Sequence, residues 1–167
     1  MATHTVLITS ANMLPQSGAF FDRIGNQVAA ANEIGNQLAL VLPDLAADIG
    51  FSDNFRVPAN YISTPKILLS AMLDGAMTSV VLGIGVKGIV KGDNDPLDVA
   101  YSTEDIANNA VDHSDKDEIE VAITLSNLVP VAGKQCAYVF YRDDNVTTWT
   151  GNLLVLGVYF QDRKSVV

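Results

Sequence analysis

The residues with the most chemical potential lie in acidic turns. Asp112-His113-Ser114-Asp115 brings together a carboxylate, an imidazole and a hydroxyl, the three groups of a hydrolytic triad. Triad partners must converge on one point from different elements, which near neighbours in sequence cannot readily do, so this tetrapeptide is expected to be a solvated turn. Two stretches offer hard oxygen ligands of the kind calcium takes: Asp93-Asn94-Asp95 with Asp98, and Asp112 to Glu118. Neither has the twelve-residue spacing, central Gly and terminal Glu of an EF-hand, so the expectation is turns without a bound metal. The two histidines, His4 and His113, show no zinc spacing. Gly83-Ile84-Gly85 falls within a strand pattern with no helix after it, so it is no dinucleotide fingerprint. No catalytic residue, metal or cofactor is expected, and the chain is not expected to be an enzyme. Trp149, the single tryptophan, stands beside Gly151 in a loop. It is expected as a core or interface anchor, the alternative being a platform for a sugar ring.

The elements that must position these residues read as strands from residue 65 onward. Ile119, Val121, Ile123 and Leu125 alternate with Glu118, Glu120, Ala122 and Thr124, the pattern of a strand with one buried and one wet face. Residues 152 to 161 alternate with both faces apolar, which suggests a central strand or a face covered by another subunit. Further strands are expected at 66–73, 78–90 and 135–142, separated by turn signals at Asp74-Gly75, 91–96, Pro130 to Gly133 and 143–151. A short helical turn is expected from Ser102 to Ala107, with Ser102 as its N-cap. Short strands without alternating long helices indicate an all-β, antiparallel β-sandwich of jelly-roll-like form, with an N-terminal arm or short helix.

The first 48 residues differ in character. Residues 24–29 and 34–39 form a near repeat offset by ten, too brief for a solenoid. Two units are expected: an interaction segment over 1–48, anchored on a neighbouring subunit by Phe20, Phe21, Ile24 and Leu38, and a sandwich over 49–167.

The 167 residues carry 19 acids and 10 bases, for a net charge of -9. Residues 93 to 120 hold ten of the acids and only Lys116 among the bases, so one segment carries the whole imbalance. An acidic chain with no basic stripe is a poor ligand for phosphate backbones, which argues against nucleic-acid binding. No apolar run reaches the roughly 18 residues needed to span a bilayer, so no membrane association is expected. The single cysteine, Cys136, cannot form an internal disulfide, which suits assembly in a reducing cytosol.

Asn54-Phe55-Arg56-Val57-Pro58-Ala59-Asn60-Tyr61, then Thr64 to Leu69, resembles a pattern in β-sandwich structural proteins of tailed bacteriophages. So does Val139 to Asp144, followed after a loop by Gly151 to Val158, with Asn152 where that family often has Asp. The resemblance covers about residues 49 to 162. It implies a virion protein, made in the host cytoplasm and assembled as a homotrimer. The main expectation is a capsid decoration, or cement, protein on the outer capsid surface, clamping the major capsid protein and turning residues 93–120 to solvent. The alternative is a receptor- or carbohydrate-binding module of a tail fibre or appendage, with its site at Trp149 and the loops 91–98 and 143–151.

Overall fold

In a computed structural model the described residues form eleven strands and no helix. The structure describes residues 2–8, 14–16, 19–24, 37–92, 101 and 103–164. The strands are β1 (Ala2–Leu7), β2 (Leu14–Gln16), β3 (Phe20–Ile24), β4 (Gln37–Leu42), β5 (Ile49–Arg56), β6 (Tyr61–Asp74), β7 (Leu82–Lys91), β8 (Thr103–Asn109), β9 (Glu118–Thr124), β10 (Gln135–Arg142) and β11 (Asn152–Lys164).

They build two antiparallel sheets. One has the order β3-β4-β11-β6-β9, with β1 also paired to β11; the other runs β2-β5-β10-β7-β8. β4 pairs with Leu153 to Val155 and β1 with Tyr159 to Lys164, so the two share one edge of β11. From β4 onward every connection except β7 to β8 passes from one sheet to the other. This is the expected jelly-roll-like β-sandwich, and β11 is a central strand, as its two apolar faces suggested.

The alternation seen in sequence sets the layers. Ile119, Val121 and Ile123 of β9 are buried while Glu118, Glu120 and Thr124 face water. Leu69, Ala71 and Leu73 of β6, with Leu153, Val155, Val158 and Phe160 of β11, meet Phe51, Phe55, Tyr138 and Phe140 of the opposite sheet. Phe51 stacks on Phe140 at 5.4 Å, and Phe55 lies 5.1 Å from Phe160, so aromatic contacts knit the layers together.

The helical turn expected at Ser102 to Ala107 is instead strand β8; Ser102 itself lies outside the described residues. β7 offers Leu82 to Gly88 as a continuous ladder partner. Asp105 turns inward and accepts from the amides of Ser126, Asn127 and Leu128 at 2.9–3.0 Å, rather than from a helix first turn.

The described parts of residues 1–48 pair into the sheets. β1 and β4 border β11, β3 pairs with β4, and β2 pairs with β5. Residues 25–36, which hold most of the ten-residue echo, lie outside the described part, as do Asp93, Asn94, Asp95 and Asp98. The described portion of the acidic segment does not form one stripe. β8 belongs to one sheet, β9 to the other, and the loop between them crosses the end of the sandwich.

Candidate functional site

The end of the sandwich where β10 passes to β11 holds a cleft of about 290 Å³. Its walls are Asp44, Leu45 and Ala46 from one loop and Asp144, Thr147, Thr148, Trp149 and Thr150 from another. The 143–151 loop is fixed against the start of β7. The amides of Thr148 and Trp149 donate to the Val81 carbonyl at 2.8 and 3.1 Å, and the Asp143 amide donates to Gly83. In return the Val81 and Gly83 amides donate to the hydroxyls of Thr148 and Thr147 at 2.9 and 3.0 Å.

Beneath the cleft lies Arg142, the last residue of β10, with its side chain buried. Its guanidinium donates to Asp44 Oδ1 at 2.7 Å, to the Gly151 carbonyl at 2.5 Å and to the Trp149 carbonyl. The planar fork thereby joins both loops, a task for which a lysine has the wrong shape. Burial pulls the Arg142 pKa below its ordinary value, while Asp44 and Asp144 act in the opposite direction.

Trp149 is only 3% exposed. Its Nε1 donates to the Ala76 carbonyl at 3.2 Å, and a Cβ at Gly151 would lie 2.2 Å from its Cζ2. The ring is thus an anchor that backs the cleft rather than an open stacking surface. Phe20, Phe21 and Ile24 fall in β3, opposite Val41, Leu40 and Gln37, and Leu38 falls in β4, opposite Arg23; their side chains lie outside the described part.

The acidic turn resolves into backbone ties. Asp112 accepts from the Ser79 amide and Asp115 from the Gly75 amide, each at 2.8 Å, while Asp117 accepts from Ser114. The backbone of His113 bridges Met77, and its ring Nε2 lies 3.4 Å from Asn109 Nδ2. Among the described residues no carboxylate forms an ion pair with the imidazole, and Asp112, Asp115 and Ser114 are tied to backbone or to one another's turn, so the tetrapeptide does not assemble a triad there. Among the described residues, no group of three or more His, Cys, Asp or Glu is placed to hold a metal ion. Nor is any helix there long and apolar enough to cross a membrane.

Sequence reasoning missed Asp44, Leu45 and Ala46. They stand 98 residues or slightly less from Arg142, and no local pattern announces that pairing.

No protein-family model matches the chain, and no curated protein does. Solved structures do match it. The second CBM22 xylan-binding domain of Xyn10C from Paenibacillus barcinonensis aligns at 14% identity with a TM-score of 0.50, over 96% of this chain and 99% of that one. The MgGH51 α-L-arabinofuranosidase aligns at 13% identity and TM-score 0.50 over 93% of this chain, which spans 24% of the enzyme's length. A tailspike domain of bacteriophage CBA120 aligns at 12% identity and TM-score 0.41, over 94% of this chain and 19% of that one. At these identities the likeness is one of fold: a β-sandwich of the type found in carbohydrate-binding modules.

Proposed function

We propose that the chain is a non-catalytic carbohydrate-binding module and that the cleft takes a short, uncharged saccharide. One observation carries this reading. Asp144 and Thr150 line the cleft, and their side-chain oxygens have no hydrogen-bond partner among the described residues, while Asp44, Thr147 and Thr148 are already engaged. A carboxylate and a hydroxyl held open on a rigid loop suit sugar hydroxyls. Leu45, 48% exposed, and Ala46 supply an apolar wall for a ring's C–H face.

The electrostatics narrow the ligand class. Asp44 and Asp144 disfavour an anion, which argues for a neutral glycan. A free cation is poorly served, because Asp44 already accepts from Arg142. The volume sits near the low end of the roughly 300–1,000 Å³ usual for ligand clefts, which suits a chain end more than a long polymer. Likeness over nearly the whole length of a xylan-binding domain supports the same class. The sequence resemblance to phage β-sandwich proteins supports a tail fibre or appendage as the setting, whereas capsid decoration makes no use of the cleft.

A neutral-glycan array followed by calorimetry tests this. Binding is expected, and Asp144→Ala should weaken it by about tenfold or more, in line with the loss of a hydrogen bond to a charged group. Absence of binding to any neutral glycan, or affinity unchanged in both Asp144→Ala and Thr150→Val, would overturn the proposal.

A further inference from the structure

Among the described residues, two side-chain contacts tie the loop of residues 43–48 to the opposite wall of the cleft. One is the bond from Arg142 to Asp44 beneath it. The other is made by Asp48, two residues past Ala46 of the cleft wall and just before β5 begins at Ile49. Its Oδ1 accepts from the Asp144 amide at 3.2 Å. We infer that Asp48 is a positioning residue for the cleft: by holding the Asp144 backbone it fixes where that residue's carboxylate meets a glycan hydroxyl. This rests on the saccharide reading of the cleft and adds the residue that organises it.

Asp144 opens a turn that is closed from within. The Asp143 carboxylate accepts from the Asn145 amide at 2.9 Å, and the Asp143 carbonyl accepts from the Thr147 amide at 3.0 Å. These bonds set the shape of the turn but not its tilt over the cleft. Tilt depends on contacts outside the turn. On the β7 side the Asp143 amide and the Thr147 hydroxyl are bound to Gly83. Across the cleft, Asp48 supplies the tie. The Asp144 side chain has no hydrogen-bond partner of its own among the described residues, so its carboxylate goes where the backbone carries it. It lies near enough to Arg142, beneath the cleft, to oppose the fall in that group's pKa.

Asp48 is itself held in place. Its Oδ2 lies 3.7 Å from Lys87 Nζ, so one oxygen faces the lysine and the other is left for the amide. Lys87 is braced in turn by Glu104 at 3.1 Å and by the Tyr141 ring, whose centre lies 4.5 Å from its ammonium. β7, β8 and β10 thus steady the carboxylate from the outer face of the five-stranded sheet. The Lys87 pair is partly exposed and contributes little stability by itself. What Asp48 supplies is preorganisation: Asp144 is placed before the glycan arrives, so binding need not order it.

Hydrogen exchange and titrations on the neutral-glycan array, both with the whole chain, test this. The Asp144 amide should exchange about tenfold faster in Asp48→Ala, in line with loss of a hydrogen bond to a charged group, while the β5 amides are unchanged. On the array the same variant should weaken binding by about threefold to tenfold, the ordering cost of one side chain. Asp48→Asn, which keeps an acceptor oxygen, should match the parent in both measurements. In the Asp144→Ala background, Asp48→Ala should weaken binding no further, because the group it positions is gone. A parent chain that binds no neutral glycan would overturn the saccharide reading and this inference with it. Four results would overturn the positioning role alone: binding weakened by Asp144→Ala but not by Asp48→Ala, costs that add in the double variant, an asparagine variant as weak as the alanine one, or Asp144 exchange unchanged in Asp48→Ala.

Discussion

The guanidinium of Arg142 lies 5.2 Å from the centre of the Trp149 ring and donates a hydrogen bond to that same residue's carbonyl. One cation therefore fixes both the face and the backbone of the cleft's rear wall. Because it also holds Gly151 and Asp44, its removal strands two carbonyl groups in the loop it organises. Arg142→Ala should cost about 3 kcal/mol, since a buried polar group left unpaired costs about 1–3 kcal/mol. Arg142→Lys should recover less than half of that, because a point charge cannot serve three acceptors in the plane of the fork. Urea denaturation midpoints check this, and a lysine variant as stable as the parent would refute the geometric part.

Asp105 links β8 to the loop after β9, and its titration gives an acid-side test. Burial would raise its pKa, but the amides of Leu128, Asn127 and Ser126 and the Ser126 hydroxyl together hold it below the usual carboxylate value. A group whose folded pKa is depressed stabilises the protein above its unfolded pKa, and that contribution is lost as pH falls through the folded value. Asp105→Asn should thus be about 2 kcal/mol less stable than the parent at neutral pH, as expected for hydrogen bonds to a charged group. The gap should begin to narrow below about pH 4, the ordinary carboxylate pKa, and close only as pH falls through the lower folded value. Denaturation curves at a series of pH values report it; a gap that stays constant into acid would show that charge is not the cause.

Deleting residues 1–45 should abolish folding. Leu40 and Leu42 are almost wholly buried, Ile8 is 5% exposed, and all three belong to the core. Losing one such side chain costs about 2–5 kcal/mol, and a whole domain has only about 5–15 kcal/mol to lose. The deletion would also leave one edge of β11 unpaired. A truncated chain with a cooperative thermal transition would contradict this.

What the sequence revealed follows the range of the interactions. β10 runs from Gln135 to Arg142, as its residue types imply, and β9 begins at Glu118, because two-residue alternation is local and needs no partner to be read. β8 reads locally as a helical turn because Ser102 suits an N-cap with Glu104 and Asp105 in the first turn, and only the distant amides of residues 126–128 show what Asp105 holds. The cleft was legible on one side only. The 143–151 loop and Trp149 stand out in the sequence as a turn and an aromatic, but Asp44 acquires meaning from an arginine 98 residues away.

Cys136 offers a probe of the folded state. It is fully buried, and burial pushes its thiol up to about 12. Thiolate is the reacting species, so the native protein should resist a thiol reagent at pH 8, and labelling should track unfolding in urea. Prompt labelling in buffer would mean that β10 opens locally.

Gly85 and Tyr141 give the sharpest packing test. The Tyr141 ring crosses the outer face of the five-stranded sheet, where a Cβ at Gly85 would lie 2.2 Å from its Cζ. Its hydroxyl donates to Glu104, and Lys87 covers the ring at 4.5 Å. All three nearest neighbours of that Cβ belong to Tyr141, so the obstruction has a single source. Gly85→Ala alone should destabilise by about 1–3 kcal/mol through overpacking. With Tyr141→Ala already in place the ring is gone, and the same substitution should be neutral or stabilising by up to about 1 kcal/mol, because alanine restricts the unfolded chain more than glycine does. The change of sign is a coupling that a double-mutant cycle reads directly. Equal costs in the two backgrounds would mean that the glycine serves the β7 backbone rather than the tyrosine ring.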